Sequence, residues 1–356
     1  MRRREFIGLV GGAAAVTWPL AVRAQQPDRI RRVGVLVPGA NNDPDQQLRL
    51  RVFQDSLREF GWTDGRNLQI DIRYAAGNVE QFQIYAAELL ALRPDVLIAD
   101  ATPSTSALQH ATRAVPIVFA RVTDPAGQGF VGSMAQPGTN ITGFTNYEDA
   151  MGSKWIDLLK DAVPSITRVA LIYNPQTAPY TPSFLPAFEI AARKRGMTLS
   201  NAPVHDASEI GALIAIQGRE PGGGLILQTD SFLVVHRDLI AASAARYLPT
   251  IGAIRLFAAS GCLMSYRVET SSMYRGAATY VDRILKGAKP ADLPVQGPTN
   301  LSQVSRHSRA WADREPFGIF HGAQPVCPVM AQLRSAEQCP SSRCRKTYTR
   351  TEFFSV

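Results

Sequence analysis

The chain has little of what metal and redox chemistry draws on, with five histidines and four cysteines in 356 residues. His110, His205, His236, His307 and His321 are scattered without ligand-like spacing, and each reads as a residue of a solvated helix face or loop. Cys327 and Cys339 are separated by 11 residues and Cys339 and Cys344 by four, which is no paired zinc pattern. P-loop, G-x-S-x-G and H-E-x-x-H sequences are missing as well. Residues 127–132 match G-x-G-x-x-G formally, yet a dinucleotide loop needs its glycines between a strand and a long helix. Here Pro125 intervenes after the strand, and Pro137-Gly138 cuts off any helix. Gly222, Gly223 and Gly224 precede a strand and form a turn. The expectation is therefore no catalytic residue, no metal and no cofactor. A paired-carboxylate hydrolase needs only closeness in space and stays open on sequence grounds, although nothing points to one.

A charge excess in the body of the chain is missing too. The formal net charge is +8, but residues 1–24 carry +3 and residues 297–356 carry +4, leaving +1 for residues 25–296. Such a balanced body argues against a phosphate-binding surface, so no nucleic-acid partner is expected. With 45% hydrophobic and 19% charged residues, 27 Gly and 24 Pro, wholesale disorder and fibrous repeats are excluded. The length suggests about two compact units.

Long hydrophobic runs are also lacking. The apolar stretch over residues 7–20 spans 14 residues and contains Gly8, Gly11, Gly12 and Pro19, too short and broken to cross a bilayer, which takes about 20 residues. Arg2, Arg3 and Arg4 precede it, and Val22 and Ala24 occupy the −3 and −1 positions of a cut after Ala24. That pattern predicts an export signal over residues 1–24, cleaved near Ala24. Arg3-Arg4-Glu5-Phe6-Ile7 resembles the twin-arginine export pattern; the rival is a Sec signal that carries three arginines. No cysteine sits at the cleavage point, so a lipid anchor there is not expected.

What the chain does contain is a regular alternation. Apolar runs at 33–37, 68–74, 96–99 and 117–120 are separated by helical spacing over 46–60, 79–92 and 104–114. A polar, turn-rich passage follows at 140–151. The alternation then resumes, with helices expected over 153–163, 182–195, 207–217 and 232–247 and strands over 169–173, 197–204, 225–228 and 250–254. A short strand at 263–266 precedes a long amphipathic helix over 271–286. Two successive runs of this kind predict an α/β chain with two doubly wound parallel-sheet lobes.

Several stretches carry a specific resemblance. Residues 33–38 followed by Phe53-Gln54-Asp55-Ser56-Leu57-Arg58-Glu59-Phe60-Gly61-Trp62 are similar to the opening of one ABC-transporter substrate-binding family, which includes proteins serving tryptophan and tyrosine importers. Ala101-Thr102-Pro103-Ser104, Pro116-Ile117-Val118-Phe119 with Asp124-Pro125, and residues 136–144 resemble it as well. So do Tyr173-Asn174-Pro175, Met264-Ser265-Tyr266 and residues 274–294. The resemblance implies the type I periplasmic-binding-protein fold, two lobes joined by three hinge crossings, with lobe one over 30–145, lobe two over 146–255, and residues 256–290 returning to lobe one. It implies a periplasmic solute-binding protein that closes its cleft on a small molecule, of the amino acid or aromatic acid class, and delivers it to an ABC permease in the inner membrane. An exported hydrolase or a ligand-sensing module on the same scaffold are the alternatives.

Ligands in such folds meet the loops at strand carboxyl ends. In lobe one these ends are residues 38–41, 100–104 and 121–124, of which Asn41, Thr102, Ser104, Thr123 and Asp124 are the candidate contacts. In lobe two they offer Asn174, Tyr180, Thr229 and Asp230, with Tyr266 near the return. Thr102 and Ser104 would hold a carboxylate where a strand hands over to a helix, Asp230 or Asp124 would pair with an amino group, and Tyr173, Tyr180 and Tyr266 would flank a planar side chain. The competing roles are a helix cap for Thr102 and Ser104, a turn before Pro125 for Asp124, and lobe packing for the tyrosines.

After Pro298 the alternation disappears and Ser, Arg and Cys become frequent. The resembled family continues there with a last strand and helix, neither of which is evident in the sequence. Residues 297–356 are therefore expected to be an atypical tail from a shifted reading frame, with a Cys-rich extension as the rival. Disulfides are permitted outside the cytoplasm.

Overall fold

The computed structural model describes residues 29–146, 150–244 and 248–298 together with the backbone of 301–306. The export segment at 1–24 and the tail beyond 306, with Cys327, Cys339 and Cys344, lie outside the described residues. Among the described residues no helix is long and apolar enough to cross a membrane.

The first lobe runs β1 (Arg31–Val37), α1 (Pro44–Glu59), β2 (Leu68–Tyr74), α2 (Val79–Ala91), β3 (Val96–Asp100), α3 (Ala101–Ala111), β4 (Ile117–Val122) and β5 (Ile141–Thr145). The second follows with α4 (Ala150–Ala162), β6 (Arg168–Tyr173), α5 (Thr181–Lys194), β7 (Thr198–Pro203), α6 (Ala207–Gln217) and β8 (Gly223–Leu227). It continues with α7 (Ser231–Val235), α8 (Arg237–Ala244), β9 (Thr250–Gly252), α9 (Arg255–Ala259) and β10 (Met264–Val268), then α10 (Ser271–Leu285) and β11 (Leu301–Arg306). The strand orders are β2-β1-β3-β4-β5 and β11-β10-β9-β8-β6-β7. Setting β11 aside, the second sheet repeats the order of the first, and both are parallel throughout. Each order reverses once, between β1 and β3 and between β6 and β8, and such reversal points open a crevice at the strand carboxyl ends. The fold is thus α/β with two doubly wound lobes.

Strands β3, β4, β5 and β8 are buried along their whole length, as parallel strands covered by helices on both faces must be. One apolar cluster runs through both lobes, joining Val35, Leu57 and Ile98 to Trp155, Phe188 and Ile226 by way of Tyr274, Ala277 and Val281 of α10. Trp155 is fully buried, stacks at a tilt on Phe188 with ring centroids 5.9 Å apart, and donates its indole N–H to the Tyr266 carbonyl at 2.9 Å. The chain passes between the lobes three times: after β5, between β10 and α10, and between Gln296 and β11. The last passage lies along β5, where Thr145 N–H reaches the Gln296 carbonyl at 2.9 Å and Gln296 N–H the Gly143 carbonyl at 3.0 Å.

Four local expectations are corrected. The passage at 140–151 holds a buried strand, β5, whose signal is interrupted by Gly143; a Cβ there would meet the Phe119 carbonyl oxygen at 2.1 Å, so only glycine lets β4 and β5 pair. The single helix expected over 232–247 breaks at His236, whose imidazole packs edge-on to Phe232 at 4.5 Å. The return to lobe one does not begin at 256: α9 packs on β9 and β10 of the second sheet, and α10 is the returning element. A closing strand is present in what the sequence suggested was a foreign tail, because β11 pairs antiparallel with β10 from Met264↔Arg306 to Val268↔Leu301.

Candidate functional site

In lobe one the site is built on a buried ion pair. Asp100 ends β3 and is wholly buried, and the next residue, Ala101, turns into α3 through a left-handed φ of 66°. No side chain caps α3, because the Asp100 carboxylate is engaged elsewhere, and the first backbone N–H groups of the helix are left for the cleft. Arg121 Nε donates to Asp100 Oδ1 at 2.7 Å and Nη2 to Oδ2 at 2.9 Å, a two-pronged fork. Arg121 sits at φ 61°, where the β4–β5 register shifts between Ala120 and Val122. That bulge takes the side chain out of the ladder and aims it at Asp100. Burial alone would raise the Asp100 pKa, but the Arg121 guanidinium more than offsets it and holds the carboxyl below its usual range. Burial likewise opposes the Arg121 charge, and Asp100 overcomes it, so the guanidinium stays charged. Tyr274 of α10 lies in the same buried cluster, its hydroxyl pushed up by burial and then by the Asp100 charge.

Lobe two contributes Asp230, the N-cap of α7. Its carboxylate accepts from the Asn174 N–H at 2.7 Å, the Phe232 N–H at 2.9 Å and the Thr177 hydroxyl. Burial pushes its pKa up to about 6, against the lowering effect of those hydrogen bonds. Tyr180 donates its hydroxyl to the Thr229 carbonyl, and its ring meets Phe184 edge-on at 6.2 Å.

Between these walls lies a cleft with about 370 Å³ of empty space, counting its open mouth. Ala101, Thr102, Pro103, Arg121 and Asn146 border it from lobe one, and Thr177, Tyr180, Thr229, Asp230, Ser231, Val234 and Ile254 from lobe two. Of the ten residues chosen from sequence, Thr102, Tyr180, Thr229 and Asp230 border this space. Thr123 stands behind it, donating its hydroxyl to Asn146 Oδ1 at 3.0 Å. Asn174 shapes the adjoining loop, accepting from Gln176 N–H at 2.8 Å and donating to the His205 carbonyl at 3.1 Å. Ser104 is wholly buried within α3. Asp124 makes a turn, with φ 46° and an acceptor bond from Gly127 N–H at 2.9 Å. Asn41 is exposed and takes the Gln47 amide at 3.0 Å. Tyr266 packs on the core beside Trp155. Asp100 and Arg121 open two of the strand-end stretches, 100–104 and 121–124, but their ion pair went unread in the sequence, although an arginine inside the buried run Ile117-Val118-Phe119-Ala120-Arg121-Val122 is a signal, since a charge there needs a partner. Among the described residues no group of three or more His, Cys, Asp or Glu is placed to hold a metal ion.

A cleft between two doubly wound lobes, with donors on one wall and a carboxylate on the other, defines the class of two-lobed substrate-binding proteins. The chain belongs to the ABC transporter substrate binding protein family, whose model matches residues 35–307. Members of that family bind small-molecule ligands and work with a transporter. A curated relative, the tyrosine-binding protein of Clostridioides difficile (strain R20291), is 25% identical over 245 residues, 68% of this chain and 70% of that protein. The structure of a conserved domain protein from Vibrio cholerae O1 biovar El Tor superposes with a TM-score of 0.72 at 26% identity, covering 79% of this chain and 93% of the other. An ABC domain from Streptococcus pneumonia in complex with L-Trp gives 0.70 at 23% identity, covering 77% and 90%.

Proposed function

We propose that this protein is an exported, periplasmic solute-binding protein that closes its cleft on an amino acid or aromatic acid and presents it to an ABC permease of the inner membrane, without chemistry on the ligand. One observation carries the reading: donors and an acceptor face each other across a single cleft. Arg121, whose guanidinium forks onto Asp100 through Nε and Nη2, borders the cleft beside the uncapped N-terminus of α3 and Thr102, and this positive wall suits a ligand carboxylate. Asp230 on the other wall suits an ammonium group, and Tyr180 a planar side chain. Tyrosine, the ligand for which the C. difficile relative is named, has all three features. Binding both walls at once favours the closed arrangement, because a ligand shifts a hinge only through contacts it gains on closure. The charged start and the Arg3-Arg4-Glu5-Phe6-Ile7 pattern support export.

Thermal melts of the purified protein against L-tyrosine, L-tryptophan, L-phenylalanine and the matching aromatic acids without the amine test this. A ligand at about 100 times its Kd adds roughly 2.7 kcal/mol of stability. The expected result is stabilisation by at least one of them with the compound recovered unchanged; turnover of the compound would overturn the reading.

A further inference from the structure

The rim of the cleft carries charges that touch no part of the ligand space. Asp43 Oδ2 of lobe one lies 3.2 Å from Arg237 Nη1 of lobe two, and Asp45 Oδ1 lies 3.4 Å from Arg255 Nη2. The first pair is the more enclosed, with side chains 9% and 20% exposed; the second is looser, at 23% and 54%. Both partners of the inner pair are held by their own lobes. Asp43 caps α1 by accepting the Gln46 N–H on Oδ1 at 3.0 Å, which aims Oδ2 outward. Arg237 Nη1 also donates to the Val234 carbonyl at 3.0 Å. Beside them Val235 packs onto Gly77, whose φ of +79° and missing Cβ let the β2–α2 loop come close; a Cβ there would meet the valine methyls at 3.1 Å. Val234 and Ile254, next in sequence to these contacts, border the ligand space. Two acidic groups at the start of α1 thus face two arginines that begin α8 and α9.

We infer that Arg237 and Arg255, with Asp43 and Asp45, form a charge clasp that holds the two lobes together across the cleft mouth. They are positioning residues: they set the fraction of molecules closed before ligand arrives. Apparent affinity scales with that fraction, so a clasp that shifts closure tenfold shifts affinity by up to tenfold with no ligand contact changed. The inference rests on cleft closure in the proposed function and not on the ligand's identity.

The test uses the full-length protein without ligand, so it stands apart from any result with amino acids. Small-angle scattering gives the radius of gyration of the wild type in 0.05 M and 1 M NaCl, and of Arg237→Glu/Arg255→Glu in low salt. Hydrogen exchange at the amides of Ala101, Thr102 and Ser104 and of residues 228–234 is followed in parallel. Salt at 1 M shortens the Debye length to about 3 Å and screens the rim pairs. The clasp predicts a larger radius and at least threefold faster exchange at the cleft amides in high salt and in the charge-reversed variant. It also predicts that Asp45→Arg with Arg255→Asp restores compactness lost in Arg255→Asp alone. A radius and exchange rate unchanged by salt overturn the inference even where the double variant fails to fold, and so does a charge swap that restores nothing.

Discussion

Replacing Arg121 by Met removes one partner of a buried ion pair and leaves Asp100, at 0% exposure, without its counter-charge. Breaking such a pair from one side costs about 3–5 kcal/mol, because a stranded charge loses both water and partner. For a chain of this size that corresponds to a fall in melting temperature of roughly 6–10 °C. The pH dependence has a definite sign. In the wild type Arg121 holds the Asp100 pKa below its ordinary value, so this carboxylate supports the fold above the usual carboxylate range and loses that support as pH falls through its own pKa. Without Arg121, burial, the largest influence, is opposed only by the more weakly acting Arg49 and Tyr274 and raises the pKa, so the variant's deficit grows as pH climbs past the ordinary carboxylate value. Melts at pH 4.5 and pH 7.5 are the assay, with Asp100→Leu/Arg121→Met as the companion. The deficit is expected to be larger at pH 7.5, and the companion, which strands no charge, to recover most of it. A deficit below about 1 kcal/mol, or one equal at both pH values, would refute the claim that the pair is electrostatically coupled and buried.

Two further outcomes follow from the same reasoning. Asp230 has its pKa raised to about 6, so the protonated form is favoured in the fold; its contribution is fully present below the unfolded carboxylate value and is lost as pH rises to 6, by about 3 kcal/mol in all. Asp230→Asn is expected to flatten that segment of a stability-versus-pH curve measured by urea unfolding, and to weaken binding of any amine-bearing ligand at pH 7.5. Gly143→Ala places a methyl 2.1 Å from the Phe119 carbonyl oxygen, and the expected loss exceeds about 3 kcal/mol in denaturant melts, since backbone rather than a flexible side chain is in the way.

Much of the fold was legible because parallel strands buried on both faces leave continuous apolar runs, as at Val33-Gly34-Val35-Leu36-Val37 and Ile117-Val118-Phe119-Ala120. What escaped did so for physical reasons. Strand β5 carries a glycine demanded by a neighbouring carbonyl, which breaks its apolar run. Helix α9 has five residues, too few for a period to show. Strand β11 takes its place from pairing with β10, a long-range fact that the local run Leu301-Ser302-Gln303-Val304-Ser305-Arg306 does not carry. At the site, strand-end reasoning picked four residues that border the cleft, and side-chain direction separates Thr102, which borders it, from Ser104 two residues on, which α3 turns inward. The pairing of Arg121 with Asp100 was hidden because the side chain's direction depends on a bulge and a left-handed φ, and neither is written in residue types.

The central claim is that the cleft binds an amino acid or aromatic acid, with Asp230 taking the amine where there is one, and leaves it chemically unchanged. Calorimetric titration of L-tyrosine into the wild type and into Asp230→Asn, with the recovered compound analysed afterwards, tests it most directly. The account predicts one-to-one binding with a negative heat-capacity change, weakened by Asp230→Asn, and an intact ligand. Binding of equal strength in both proteins, or a chemically altered tyrosine, would contradict it.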